Sequence, residues 1–366
     1  MLIINNEVVA EVLSMRACID AQEAAFRQME TGRAAHRPRI DMYIPCERDD
    51  GYYRWGTMEG TNDGVFAIRM KSDVMTWPRD AEGNWTEDKY CIEPGTYCGL
   101  VMLFSSQNGE PLAMINDGYI QHMRVGGGAG IGVKALARQD ATSVGILGSG
   151  GMARTYLDAF CAVRDIKRVK VFSPTKANRE AYALDMSARF GIEVEPVASA
   201  RDAARGVDIL ATATDSMTPT FDVDWLEPGM HVTNLGPNEV AVDVIERCDI
   251  KIRQGVPGLE VGESDRVKAG IGHSPVAILV GTEDELKRLP TSKRSAGFQI
   301  DCPDYCDLVS GRTAGRTSDD QITYYHNVGN QGLQFSSVGG VVYQIVKERG
   351  LGHEIPTDWF VQDIRD

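Results

Sequence analysis

The chain has 366 residues, 43% hydrophobic and 25% charged, the balance of a soluble globular protein with roughly two domains at about 150 residues each. A formal net charge of −14 without any lysine- or arginine-rich run speaks against nucleic acid and anionic membrane as partners, because both require a basic face to displace counterions. The opening MLIINNEVVAEVLSM lacks the basic start and long apolar run of a secretory signal, so a cytoplasmic location is expected.

The spacing of apolar residues predicts a helix over residues 14–30. Strands without intervening helices follow in RIDMYIP, GVFAIRMKS and YCGLVMLFSS. The last of these turns at SQNGEP into LAMIND, and Asn-Gly is a strong hairpin signal. From about residue 141 the pattern changes to alternation. TSVGILG, RVKVFS, IEVEPV, VDILATAT, HVTNLG and IKIRQG read as strands, with GGMARTYLDAFCAVRDI, KANREAYALDMSARFG and ASARDAARG as helices between them. Such alternation means parallel βαβ units in a doubly wound sheet. SSVGGVVYQIVKERGLG reads as a final helix ended by glycine. The expected fold is α/β: a Rossmann-type domain inserted into an α+β domain built from both ends of the chain. Residues 256–320, where prolines, glycines and charges alternate, are the least readable.

The turn after the first parallel strand is Gly148-Ser149-Gly150-Gly151-Met152-Ala153. Its first glycine permits a tight turn, its second lets a pyrophosphate approach the backbone, and small Ala153 lets helix and strand pack closely. The helix start supplies oriented N–H groups. A lone motif of this kind is weak, but here it follows a strand, opens a helix and begins a βαβ run. It is read as a dinucleotide cradle. The second strand ends Ser173-Pro174-Thr175-Lys176, with Arg179 one turn on, where an NAD-specific site places a carboxylate. Hydroxyls and cations there favour NADP over NAD, unless Lys176 and Arg179 are simply a solvated helix face. Thr212, Thr214, Leu235 and Gly236, at the carboxyl edge of the later strands, complete the expected cofactor contacts.

Several cations stand where a substrate could be held. Lys71 alternates onto the same strand face as Arg69, Arg124 lies in QHMRVGGGAG, and Arg39 begins a strand. Arginine grips a carboxylate bidentately, and lysine polarises or protonates a substrate group. The eight cysteines and six histidines show no metal-ligand spacing, and no metal is expected.

RPRI, AIRMKSD, NGEPLAMINDGYIQHMRVGGGAG, VGILGSGGMA, DILATATDSMTPTF, GMHVTNLG and FSSVGGVVYQIVKERGLGHEIP occur in the order seen in the ornithine cyclodeaminase/mu-crystallin family, which the chain resembles over most of its length. The resemblance implies a homodimer formed through a substrate-binding domain of residues 1–125 and 320–366, with residues 126–319 as the dinucleotide-binding domain. It makes Arg39 and Arg124 the grips for a substrate carboxylate, with Arg54 in YYRWGTMEG a rival and Met58 beside it. Lys71 becomes the polar group near the reacting carbon.

Two departures from the family pattern stand out. Residues 76–98 form an insertion carrying Trp77, Trp85, Tyr90 and Tyr97. Asn238, followed by Glu239, occupies the place of the cyclodeaminase catalytic aspartate. Cyclisation with loss of ammonia needs a base and then an acid, which an amide cannot supply. The reading is therefore an NAD(P)-dependent oxidoreductase exchanging hydride with the α-carbon of a carboxylate-bearing imino or amino acid. A cyclodeaminase using Glu239 is the alternative, and a non-catalytic nucleotide-binding protein the third.

Overall fold

The computed structural model describes all residues except 80–82, 84–85, 217, 237, 256–263, 265, 272–273, 291–299 and 365–366, so Trp85 lies outside the described residues. Two sheets organise the rest. The mixed sheet runs Val267–Ile271, Ser274–Leu279, Ala35–Pro45, Gly51–Asn62, Val65–Thr76, Cys98–Ser105, Pro111–Asn116, Leu2–Ile4, His353–Glu354. Asp88–Cys91, within the insertion, pairs with the end of Val65–Thr76. Helices Met15–Met29 and Gln331–Arg349 pack their apolar sides with this sheet in one core. The first starts on a Ser14 side-chain cap and the second stops at left-handed Gly350, as their sequences predict.

The second sheet is parallel throughout, in the order Glu193–Pro196, Arg168–Phe172, Ser143–Leu147, Ile209–Thr212, His231–Asn234, Thr323–His326, Ile250–Arg253. Cores on its two faces are closed by Gly151–Val163 and Lys176–Phe190 on one side and by Ala200–Ala204 and Val242–Arg247 on the other. The chain reverses its direction of travel across the sheet at Ser143–Leu147. Ligands bind in the crevice beyond the carboxyl ends at such a reversal. The α/β, Rossmann-type expectation holds.

Three differences from the sequence reading have physical causes. Ser274–Leu279, expected among the dinucleotide-binding residues, pairs in parallel with Ala35–Pro45 and extends the mixed sheet instead. Thr323–His326, expected beyond that segment, is an inner strand of the parallel sheet. Periodicity identifies a strand but not its neighbour. The third is a helix, Asp117–Leu136, across the glycine run and the 125/126 boundary. Helical glycine costs about 1 kcal/mol relative to alanine, yet five of its glycines are buried. A Cβ at Gly126 would overlap the Thr155 backbone, and one at Gly132 the Tyr325 ring. Close packing against the second half of the molecule overrides propensity.

Candidate active site

Ser143–Leu147 is buried at every position and delivers the chain to Gly148, whose φ of +113° suits glycine and whose Cβ would strike the Ala213 carbonyl. Gly150 caps the helix Gly151–Val163, and a Cβ there would meet nothing within 4 Å. That open space faces the unpaired N–H groups of the first turn, a place suited to an anion. Ala153 is fully buried and its carbonyl accepts from Tyr182 at 3.0 Å, fixing the helix against its neighbour. Ser149 donates to Ser173 Oγ at 2.9 Å, tying the turn to the end of the second strand. Met152 is half-buried beside this core. The residues present fit a dinucleotide.

At the end of the second strand, Ser173 is buried and Thr175 caps the next helix. Arg179 folds back, donating to the Ser173 carbonyl at 2.8 Å and lying 5.6 Å over the Phe172 ring. Lys176 is solvated and sits 3.7 Å from Glu180.

Glu239 behaves differently from its expected part as a spare acid. Its carboxylate is fully buried and accepts from Thr212 Oγ1 at 3.0 Å, Thr214 Oγ1 at 2.6 Å, Leu235 N at 3.1 Å, and the backbone N–H groups of Thr214 and Gly236. All four residues expected to contact cofactor after the fourth and fifth strands are thus gathered by one carboxylate. Burial pushes its pKa up, opposed by these donors. Asn238 lies half-buried in the same turn.

The cations converge on the inner face of the mixed sheet. Strict alternation along Val65–Thr76 puts Arg69, Lys71 and Asp73 on the buried face. Lys71 lies opposite Gly56 on one neighbouring strand and Gly99 on the other. A Cβ at Gly56 would overlap Asp41, and one at Gly99 would overlap Asp117, so both glycines make room for carboxylates beside the lysine. Lys71 Nζ is 3.2 Å from Asp73 Oδ2 and 4.6 Å from the Tyr97 ring centre. Burial, then the Arg54 charge, pull its pKa well below the usual lysine range, with Asp73 opposing.

The rival grips separate here. Arg54 is buried in a bidentate pair with Asp73, at 2.9 and 2.5 Å, directly across the strands. Arg69 pairs with Asp117 at 2.5 Å. Met58, opposite Arg69, packs into the mixed-sheet core. Arg39 is likewise held by both oxygens of Asp41, at 3.0 and 2.6 Å, but its side chain stays 14% exposed against 1% for Arg54. Arg124 is buried on the glycine helix and donates to Gln334 at 2.9 Å and Gln121 at 2.8 Å, both neutral amides. No carboxylate among the described residues lies within ion-pair distance of it. Burial, with the Arg69 charge next, pushes its pKa down to about 9. Its guanidinium also lies 5.1 Å over the Phe335 ring, and a buried guanidinium hydrogen-bonded only to amides among the described residues is suited to an incoming carboxylate. Two residues earlier on the same helix, His122 faces the Gly151 backbone, so one helix spans the dinucleotide turn and the cation cluster.

The sequence reading missed Asp73, Asp117 and Gln334. The first was legible as the residue two places beyond Lys71 on an alternating strand. The other two required knowledge of which helix covers the sheet.

A model of the ornithine cyclodeaminase/mu-crystallin family matches residues 1–349. The chain belongs to this family. It is 31% identical over 360 residues to a Delta(1)-pyrroline-2-carboxylate reductase of Bacillus cereus, covering 97% of this chain and 99% of that one. An alanine dehydrogenase of Archaeoglobus fulgidus is 27% identical over 363 residues, with 97% and 98% covered. Among solved structures, the Thermococcus litoralis Delta(1)-pyrroline-2-carboxylate reductase in complex with NADH and L-proline superposes with a TM-score of 0.74 at 23% identity, covering 97% of this chain and all of that one. Among the described residues, no group of His, Cys, Asp and Glu is placed to hold a metal, and no helix is long and apolar enough to cross a membrane.

Proposed function

We propose that this protein is a nicotinamide-dependent oxidoreductase that interconverts an imino acid and the corresponding amino acid. The observation that carries the reading is Arg124, a buried guanidinium hydrogen-bonded by two neutral amides, which shares the neighbouring charge of Arg69 with Lys71, an amine whose pKa burial pulls well below the usual lysine range. The reductase and dehydrogenase names of the family relatives support it. Gly148–Ala153 would hold a dinucleotide by its pyrophosphate, and its nicotinamide would supply or accept the hydride.

The chain's own residues do the rest. Arg124, aided by Arg39, grips the substrate carboxylate and fixes the α-carbon. Lys71 Nζ gives a proton to the imine nitrogen as charge develops there: an N–H bond forms on the substrate, one breaks on the lysine, and the amine is left neutral. Oxidation runs the same step in reverse. Asn238, an amide, neither gives nor takes a proton at working pH, and Glu239 is occupied with five donors. This argues against cyclodeamination. A positioned lysine at the reacting carbon argues against a pure binding module.

Ser173 in place of a carboxylate, with Lys176 and Arg179 nearby, supports NADP(H) as the preferred cofactor. The outer face of the mixed sheet, with Phe66, Ile68, Met70, Met102 and Phe104 half-exposed, supports a homodimer through that face, testable by sedimentation. The function itself is tested by oxidation of NADPH or NADH in the presence of cyclic and linear imines bearing a carboxylate. Consumption that the Lys71→Met variant loses supports it; none with any such imine defeats it.

A further inference from the structure

Lys71 has glycine opposite it on both neighbouring strands, so no side chain from either fills its row. What covers the amine comes from the insertion. Tyr97, at its end, places its ring centre 4.6 Å from Lys71 Nζ and 5.8 Å from Arg69 Cζ. The phenol meets Asp117 and stays neutral, its pKa pushed to about 12 by burial first and then by the Asp117 charge.

The charges facing Lys71 explain why such a ring matters. Asp73 and Arg69 come from its own strand, Arg54 from the adjacent strand, and Arg39, paired to Asp41, from the strand beyond. Asp117, from the glycine helix, pairs with Arg69, and Glu87 from the insertion lies beside Arg54. The lysine sees cations from three elements. Its closest acid, Asp73, is already held bidentately by Arg54. An aromatic face attracts an ammonium without taking its protons into an ion pair. The amine therefore stays available to a ligand.

We propose that Tyr97 is a positioning residue for Lys71, its ring face holding the ε-ammonium in the row that Gly56 and Gly99 leave without side chains. The consequence for turnover rests on the reading of Lys71 as the proton donor. Two readouts separate these claims. The proton affinity of Lys71 is measured without substrate, by pH-dependent acetylation with acetic anhydride read by peptide mass spectrometry. The pH profile of imine reduction is measured alongside. Both are followed in the wild type, Tyr97→Phe and Tyr97→Leu. Losing the ring should lower the Lys71 pKa by roughly half to one unit, the size of an exposed to partly desolvated cation–π contact. The basic limb of kcat should move by the same amount. Tyr97→Phe, which keeps the ring, should behave as wild type in both. An unchanged Lys71 titration in Tyr97→Leu overturns the proposal, as does a Tyr97→Phe shift equal to that of Tyr97→Leu, which would assign the effect to the phenol and Asp117. A shifted titration with an unmoved kcat profile leaves the ring contact standing and overturns Lys71 as the donor.

Discussion

Glu239 and Thr214 meet twice, the carboxylate accepting from both the backbone N–H and the hydroxyl of the threonine. Because the same carboxylate also takes Thr212, Leu235 and Gly236, it clips together the carboxyl ends of two parallel strands. Glu239→Gln would turn one acceptor into a donor facing other donors. Losing a charge-assisted buried contact costs about 1.5–3 kcal/mol, so the variant should unfold at lower temperature and bind dinucleotide more weakly. Calorimetry and cofactor titration check both. Unchanged cofactor affinity with lost turnover would instead make Glu239 a proton-transferring group.

Gly150 stands in open space at the start of its helix. The fold itself should accept a side chain there. Gly150→Val is expected to keep the unfolding temperature while losing dinucleotide binding, because the branched side chain fills the space before the first-turn N–H groups. Fluorescence titration with NADPH reads the outcome, and undiminished binding would contradict the placement.

Arg124 and Lys71 should separate in kinetics. Arg124→Gln should raise KM for a carboxylate substrate on the order of tenfold to a hundredfold, since a charge-assisted contact is worth about 1.5–3 kcal/mol. Lys71→Met should lower kcat with little change in KM, because its help is needed as charge develops. The lowered Lys71 pKa gives the pH dependence its sign. Reduction needs the ammonium, so its rate falls as pH rises through that pKa. Oxidation needs the neutral amine, so its rate rises over the same range.

The legible and illegible parts divide by what a local pattern carries. Residues 14–30 announced their helix through Ser14 and an apolar stripe, and Gly191 announced the stop of Lys176–Phe190. Alternation from Phe66 put Lys71 and Arg69 on one face. The helix Asp117–Leu136 was hidden because its glycines are chosen by atoms of distant residues, Thr155 and Tyr325. The choice between Arg39 and Arg54 was open for the same reason. Only the register shows Arg54 wholly buried against Asp73, while Arg39 beside Asp41 stays partly exposed. Glu239 looked like a spare acid because its five donors lie on two strand ends that spacing does not bring together.

The adenosine end gives a fourth outcome. Dissociation constants should favour NADPH over NADH, and Ser173→Asp should reverse the order by placing a carboxylate against a 2′-phosphate. The structure bends Arg179 onto the Ser173 carbonyl and leaves Lys176 solvated, so the preference rests mainly on the missing acid. Tighter binding of NADH by the unaltered protein would contradict it.

Net hydride exchange with an imino acid shows in the stoichiometry of the cofactor. The protein is incubated with ornithine and a trace of NAD, and in parallel with a carboxylate-bearing cyclic imine and excess reduced cofactor, with ammonia, amino-acid product and cofactor all measured. One reduced cofactor should be oxidised per amino acid formed from the imine, with no ammonia from ornithine. Ammonia and proline released from ornithine in amounts far above the NAD supplied would contradict it.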